Sequence, residues 1–382
     1  MRKLKIAYIT LDDPNDKHAW SGTSYYILQS LRKHAGEVDA LGPAEPGFIG
    51  LVCKALNYLS IQIFEKRFDY RHSTIYAKAC SKFFQKKIGD KKYDLIVAPA
   101  GVSSLAYLKT DIPKVYIGDR VIEGALDYHE ILSDLWNFSK KQSIKTDKIA
   151  LQNSTLNIFS SQWAANFAID KYRIDKKKIT VFPFGANMDD VPGAKQVFAN
   201  KKQNGCKLLL IGTSWQNKGA DIAYNALQHL SEIGIDAHLT VCGCTLPAGI
   251  KSDKLTVIPF LNKNTADGRR KLEELFLSHS FFILPTRFDC TPIVFCEASA
   301  FALPVLSADT GGVEGHIKQG INGYLIDYSD KGKAYAEKIA ELFRDKEQYN
   351  NLCKSARAFY DEQLNWDVWA KHFLHAIESL IS

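Results

Sequence analysis

Two carboxylates, Asp289 and Glu297, lie in the segment with the most chemical potential, Pro285-Thr-Arg-Phe-Asp-Cys-Thr-Pro-Ile-Val-Phe-Cys-Glu-Ala-Ser-Ala-Phe-Ala-Leu-Pro-Val. Thr291 can cap a helix that opens at Pro292, where a missing N–H costs nothing. The amides of such a first turn suit anionic oxygens. Glu297 lies five residues beyond Pro292, about 7.5 Å further along the axis at 1.5 Å per residue. A diphosphate at the helix end would have a carboxylate on either side, one for a sugar and one for a ribose. Glu297 also sits among Val294, Phe295, Ala298 and Ala300, where a lone charge is costly. The alternative reading is an ion pair that only ties two helices together.

A second site follows Leu208-Leu-Leu-Ile-Gly-Thr-Ser-Trp-Gln-Asn-Lys-Gly, a strand, a glycine turn and then Lys218 at the start of a helix. An ammonium there can neutralise a phosphate leaving group. A solvated lysine at a helix start is the plain alternative, and the spacing is not that of a P-loop. Ser21-Gly22-Thr23 follows the first strand, and Gly22 would let backbone approach a ligand closely. The same three residues also suit an ordinary turn.

The elements that must position these groups alternate along the chain. Strand-length apolar runs appear at residues 5–10, 93–98, 114–118, 156–160 and 179–183, with helical patterns between most of them. Residues 184–205 hold Gly185, Asn187, Pro192, Gly193 and Gly205 and read as a linker region. The pattern then restarts, with strands predicted at 207–211, 238–242, 256–259, 281–285 and 304–307. Helices are predicted at 219–233, 272–279 and 292–302. This is an α/β chain of two open, mainly parallel sheets, not a closed eight-stranded barrel. The predicted division is 1–187, a linker at 188–205, a second domain at 206–364, and a helix at 365–382 packing back toward the first domain.

The 382 residues are 46% hydrophobic and 24% charged, an ordinary globular mix that excludes disorder, collagen and coiled coil. No stretch approaches the roughly 20 apolar residues of a membrane span, and no secretory signal is evident, so a cytoplasmic location is expected. The eight cysteines lack zinc-ligand spacing and read as reduced core thiols. Net charge is +7; residues 48–92 alone hold ten Lys/Arg against three Asp/Glu, among many large apolar residues. That segment suits peripheral contact with an anionic membrane face, or else is an amphipathic helix pair with a solvated basic side. No nucleic-acid-binding motif accompanies the charge.

Taken together, these motifs resemble retaining glycosyltransferases of family 4, with the GT-B fold of two facing Rossmann-like domains and a C-terminal helix crossing back. The resemblance rests on the acid-x7-Glu element from Asp289 to Glu297, Pro304-Val305, Thr310-Gly-Gly-Val-Glu and Gly320-Ile-Asn-Gly-Tyr-Leu-Ile. Ser160-Ser-Gln-Trp-Ala-Ala and Pro183-Phe-Gly-Ala-Asn extend it toward the N-terminus. It implies transfer of a sugar from a nucleoside diphosphate donor to a glycan or lipid-linked hydroxyl acceptor, without an essential metal or other cofactor. Glu297 would bind the ribose, Asp289 the donor sugar, and Lys218 the diphosphate. Backbone at Thr291, Pro292, Ile293 and Val294 would meet phosphate and sugar, with Gly22 near the phosphates. Asp119 stands where relatives carry a polar residue facing the reacting sugar, with His129 behind it. Three positions depart from the pattern: Asp289 for the commoner Glu, Thr213 for an arginine, and Pro292 for a glycine. A nucleotide-sugar 2-epimerase and a non-catalytic nucleotide-sugar-binding protein are the alternatives.

Overall fold

Short runs of β-branched, leucine and aromatic residues, buried on both faces, alternate with helices through most of the chain, the pattern of parallel sheets covered on both sides. The computed structural model describes residues 2–126, 132–201 and 205–381. The chain divides into two compact units, one up to Pro183 together with everything from Trp366 onward, the other Phe184–Asn365.

Among the described residues the first unit has a six-stranded parallel sheet. Its strands are β1 (Leu4–Tyr8), β2 (Gly36–Ala40), β3 (Leu95–Pro99), β4 (Lys114–Gly118), β5 (Leu156–Phe159) and β6 (Ile179–Val181), in the order β2-β1-β3-β4-β5-β6. Sequence reading misses β2. Its residues Gly-Glu-Val-Asp-Ala bury only Val38, because it is an edge strand paired with β1 on one side.

The second unit repeats the plan with β7 (Cys206–Ile211), β8 (Ala237–Cys242), β9 (Leu255–Ile258), β10 (Phe281–Leu284), β11 (Val305–Ala308) and β12 (Gly323–Ile326). Their order is β12-β11-β10-β7-β8-β9, again six parallel strands among the described residues. In each sheet the first strand is internal, and the order reverses beside it, between β1 and β3 and between β7 and β10. Such reversal points open a crevice beyond the carboxyl ends of the strands.

The stretch read as linker is not extended throughout. Helix Ala194–Asn200 occupies its middle, with Val197 fully buried in the second unit's core. A single apolar turn among polar residues leaves too little periodicity to see that helix in sequence. The closing helix Trp366–Ala376 buries Trp369 and Phe373 within the first unit. All eight cysteines are buried free thiols.

Candidate active site

The second unit's reversal point carries three of the four residues singled out for chemistry. The turn after β7 brings Lys218 back over the strand end. A Cβ on Gly212 would lie 2.6 Å from Lys218 Cγ, so the glycine makes room for the lysine stem. Lys218 lies in this turn rather than in the helix, which begins at Ala220 behind the left-handed Gly219 (φ +68°). A Cβ at Gly219 would overlap the Pro285 carbonyl, so the turn packs directly on the end of β10.

The loop after β10 is bound to the same turn. Arg287 N–H donates to the Asn217 carbonyl at 2.8 Å, and its guanidinium makes a bidentate pair with Asp221 at 2.8 and 2.7 Å. Burial pushes the Asp221 carboxyl up, but the Arg287 guanidinium outweighs it and holds the group below the usual carboxylate range. Thr286 Oγ1 donates to the carbonyls of Asn217 and Phe288. The Gly312 amide, in the next glycine pair, donates to the Asp289 carbonyl. These ties fix the loop so that Lys218 Nζ reaches Asp289 Oδ2 at 2.6 Å.

Asp289 and Glu297 are both about nine-tenths buried. Glu297 lies in helix Ile293–Ala300, and its Oε1 accepts from Lys263 Nζ at 3.0 Å. Lys263 stands in the turn before helix Ala266–Ser278, so the pair joins a helix to a loop and does not tie two helices together. Both ammonium groups remain partly exposed while both carboxylates are nearly covered. The arrangement can therefore offer two cations and two acids to one polyanionic, hydroxyl-bearing ligand.

The helix tip differs from the sequence reading. Pro292 (ψ +84°) is itself the N-cap, and the helix proper starts at Ile293. Thr291 lies one residue before that cap, and its Oγ1 donates to the Cys290 carbonyl. Ile293 N–H turns onto the Thr291 carbonyl, and Phe295 N–H onto that of Pro292. Proline's φ is compatible with the cap, and its ring leaves no side-chain oxygen to close the turn. Val294 is half-buried, and Thr213, at the arginine position, is exposed.

The first unit holds the fourth, Asp119, together with Gly22. Gly22 (φ +89°) ends a left-handed run with Trp20 (φ +48°) and Ser21 (φ +57°), just before helix Thr23–His34. Such backbone strain gathers at ligand-contacting loops. Trp20 Nε1 donates to Asp119 Oδ2 at 2.9 Å, joining this loop to the end of β4. His129 lies outside the described residues. Sequence reading misses Trp20 and Lys263, the partners of Asp119 and Glu297, and Arg287, which ties the acidic loop to the turn that carries Lys218. Only for Trp20, just before Ser21-Gly22, was a signal available, an indole next to a glycine turn.

Residues 205–345 match the family Glycosyl transferases group 1. A D-inositol 3-phosphate glycosyltransferase from Xylanimonas cellulosilytica is 25% identical over 57% of this chain and 55% of its own length. The chain spans about half the length of the curated relatives it matches. Among solved structures, sucrose-phosphate synthase from Thermosynechococcus elongatus superposes over 99% of both chains with a TM-score of 0.68 at 16% identity. Anabaena Alr3699/HepE in complex with UDP covers 98% of this chain and 100% of its own, with a TM-score of 0.65 at 15% identity. The fold is that of GT-B glycosyltransferases. The match to the glycosyl transferases group 1 family falls within the second unit, Phe184–Asn365.

Proposed function

We propose that the chain is a family 4 retaining glycosyltransferase of the cytoplasm. It moves a hexose from a nucleoside diphosphate donor to a hydroxyl acceptor in surface polysaccharide or glycolipid assembly. The observation that carries the reading is the pair of ammonium–carboxylate contacts at the second reversal point, Lys218 to Asp289 and Lys263 to Glu297. Each carboxylate is nearly buried and each ammonium open to a ligand, so a diphosphate can draw the cations while sugar and ribose hydroxyls donate to the acids. A UDP complex of the structurally similar Anabaena protein supports a uridine donor.

In this reading Lys218 leaves Asp289 for the diphosphate and frees that carboxylate for the sugar, and Glu297 takes the ribose. The bond from the anomeric carbon to the diphosphate oxygen breaks. The acceptor oxygen bonds to the same face of that carbon, and its proton passes to the departing diphosphate. Charge on that leaving group is met by Lys218 and the positive end of helix Ile293–Ala300, so no metal is required. Gly22 and Asp119 are proposed as the first unit's contribution.

The test is a screen of UDP, GDP and ADP sugars with Glu297→Ala and Glu297→Gln beside the parent chain. Turnover should fall by about 100-fold or more, the scale seen when one charge-stabilising group is lost. Turnover equal to the parent's leaves Glu297 as a structural residue. Interconverted sugar nucleotides without acceptor would mean an epimerase, and nucleotide binding without products would mean a binding protein.

A further inference from the structure

Helix Phe48–Phe64 is built inside out. Its inward seam is Gly50, Cys53, Asn57 and Ser60, of which only Gly50 and Cys53 are buried. The polar members of that seam are used against the protein. Asn57 Oδ1 accepts from Phe68 N–H; Ser60 Oγ donates to the Lys66 carbonyl and accepts from Trp136 Nε1. The outward arc, roughly three-quarters of the circumference at 100° per residue, is almost wholly apolar. Phe48 is 79% exposed, Leu51 67% and Ile63 64%, with Leu56, Leu59 and Phe64 half or more exposed. An ordinary amphipathic helix on a sheet shows the reverse pattern. Isolated surface leucines need no explanation, but ten exposed large apolar side chains on one helix mark an interaction surface.

Charge selects the partner. This helix and its neighbour Thr74–Ile88 carry five lysines and no Asp or Glu. Lys78, Lys82 and Lys86 recur at every fourth position on the exposed side of the second helix. At the C-terminal end of the apolar helix Phe64 packs edge-on against Trp136, and Lys66 Nζ lies 4.8 Å from the Trp136 ring centroid. Indole and lysine together suit the boundary between headgroups and acyl chains. A second copy in a two-fold contact would set these same lysines against each other. A wide apolar arc also exceeds the single stripe that one flat protein face covers. At 17 residues, the helix is among those too short or too polar to cross a bilayer.

We infer that helix Phe48–Phe64 lies in the surface of an anionic bilayer, with its outward arc among the acyl chains and the lysines of Thr74–Ile88 on lipid phosphates. The inference rests on the first unit's surface alone and stands apart from the donor reading. The test is sedimentation of the full chain with vesicles of phosphatidylcholine, alone or with about one-third phosphatidylglycerol. The chain should bind the anionic vesicles, and Leu56→Glu/Ile63→Glu should weaken that binding at least about tenfold with an unchanged circular dichroism spectrum. Lys78→Gln/Lys82→Gln/Lys86→Gln should weaken it severalfold and flatten its salt dependence. Failure of the parent chain to bind anionic vesicles overturns the inference, and so does binding unchanged by the glutamates. A lipid-free dimer that the glutamates dissociate would assign the face to a second copy instead. Nucleotide calorimetry on the same variants keeps this outcome distinct from that of the donor site.

Discussion

Asp147 shows how one buried acid supports a neighbouring site. Its Oδ2 accepts from Ile122 N–H at 2.6 Å and from the Tyr172 hydroxyl at 2.9 Å, which pins the chain just after Asp119. Its Oδ1 has no hydrogen-bond partner among the described residues. Burial dominates and pushes the carboxyl up to about 6, against the pull of those hydrogen bonds and of the charges of His72 and Arg120. The folded state therefore holds this proton longer than the unfolded chain, whose group titrates near 3.8. The contribution of Asp147 to stability should fall as pH rises from about 4 to 6, by about 3 kcal/mol for a shift of about two units, and stay level above, against the opposite contributions of the buried His279 and His316. Asp147→Asn should remove that slope and raise the urea midpoint at pH 7.5. An unaltered slope in denaturation between pH 4 and 6.5 would show that Asp147 is not its source. The acids of the two units were readable as types in the sequence. Their partners were not, since Lys263 is 34 residues from Glu297 and Trp20 is 99 from Asp119.

At the scale of elements, the candidate donor site is two loops locked together at neighbouring strand ends. Gly219 is the closest approach, with a positive φ and the Pro285 carbonyl where a Cβ would stand. Gly219→Ala should cost roughly 2–4 kcal/mol, from left-handed strain plus overlap. It should also weaken nucleotide binding, because the turn that carries Lys218 must lift off β10. Urea unfolding and calorimetry on one preparation check both; full stability in the variant would mean the turn is not held there. Sequence periodicity located β7, β10 and the helix after the acidic loop to within a few residues. It placed Thr291 as the cap and Lys218 at the start of the helix, because local preference does not register where the backbone of one loop is pulled by another. The edge strand β2, with one buried side chain, carried almost no signal.

For the whole molecule, the informative feature is the return of the chain from the second unit to the first. Ser30 Oγ donates to the Trp366 carbonyl at 2.7 Å, Lys33 Nζ pairs with Asp367 at 2.7 Å, and Trp369 packs between Phe182 and Phe373. Truncation after Asn365 removes a fully buried tryptophan and phenylalanine from the first unit while leaving the second unit's core intact. Two cores should melt as separable transitions. The truncation should lower the first unit's transition by about 10 °C or more, and nucleotide should still raise the other. Scanning calorimetry with and without UDP reads both, and loss of the nucleotide-sensitive transition would contradict the division.

Composition and periodicity determined the alternation of strand and helix, the restart near residue 206, and the acids on either side of the loop-to-helix junction. Each is a local property, written in the spacing of apolar side chains along a few turns or one strand. Only the tertiary structure decided which lysine meets which carboxylate, which residue caps the helix at Pro292, and which side of helix Phe48–Phe64 faces outward. Those outcomes depend on strand order and on which neighbour covers a face. Residues far apart in the chain supply both, so no window of sequence contains them.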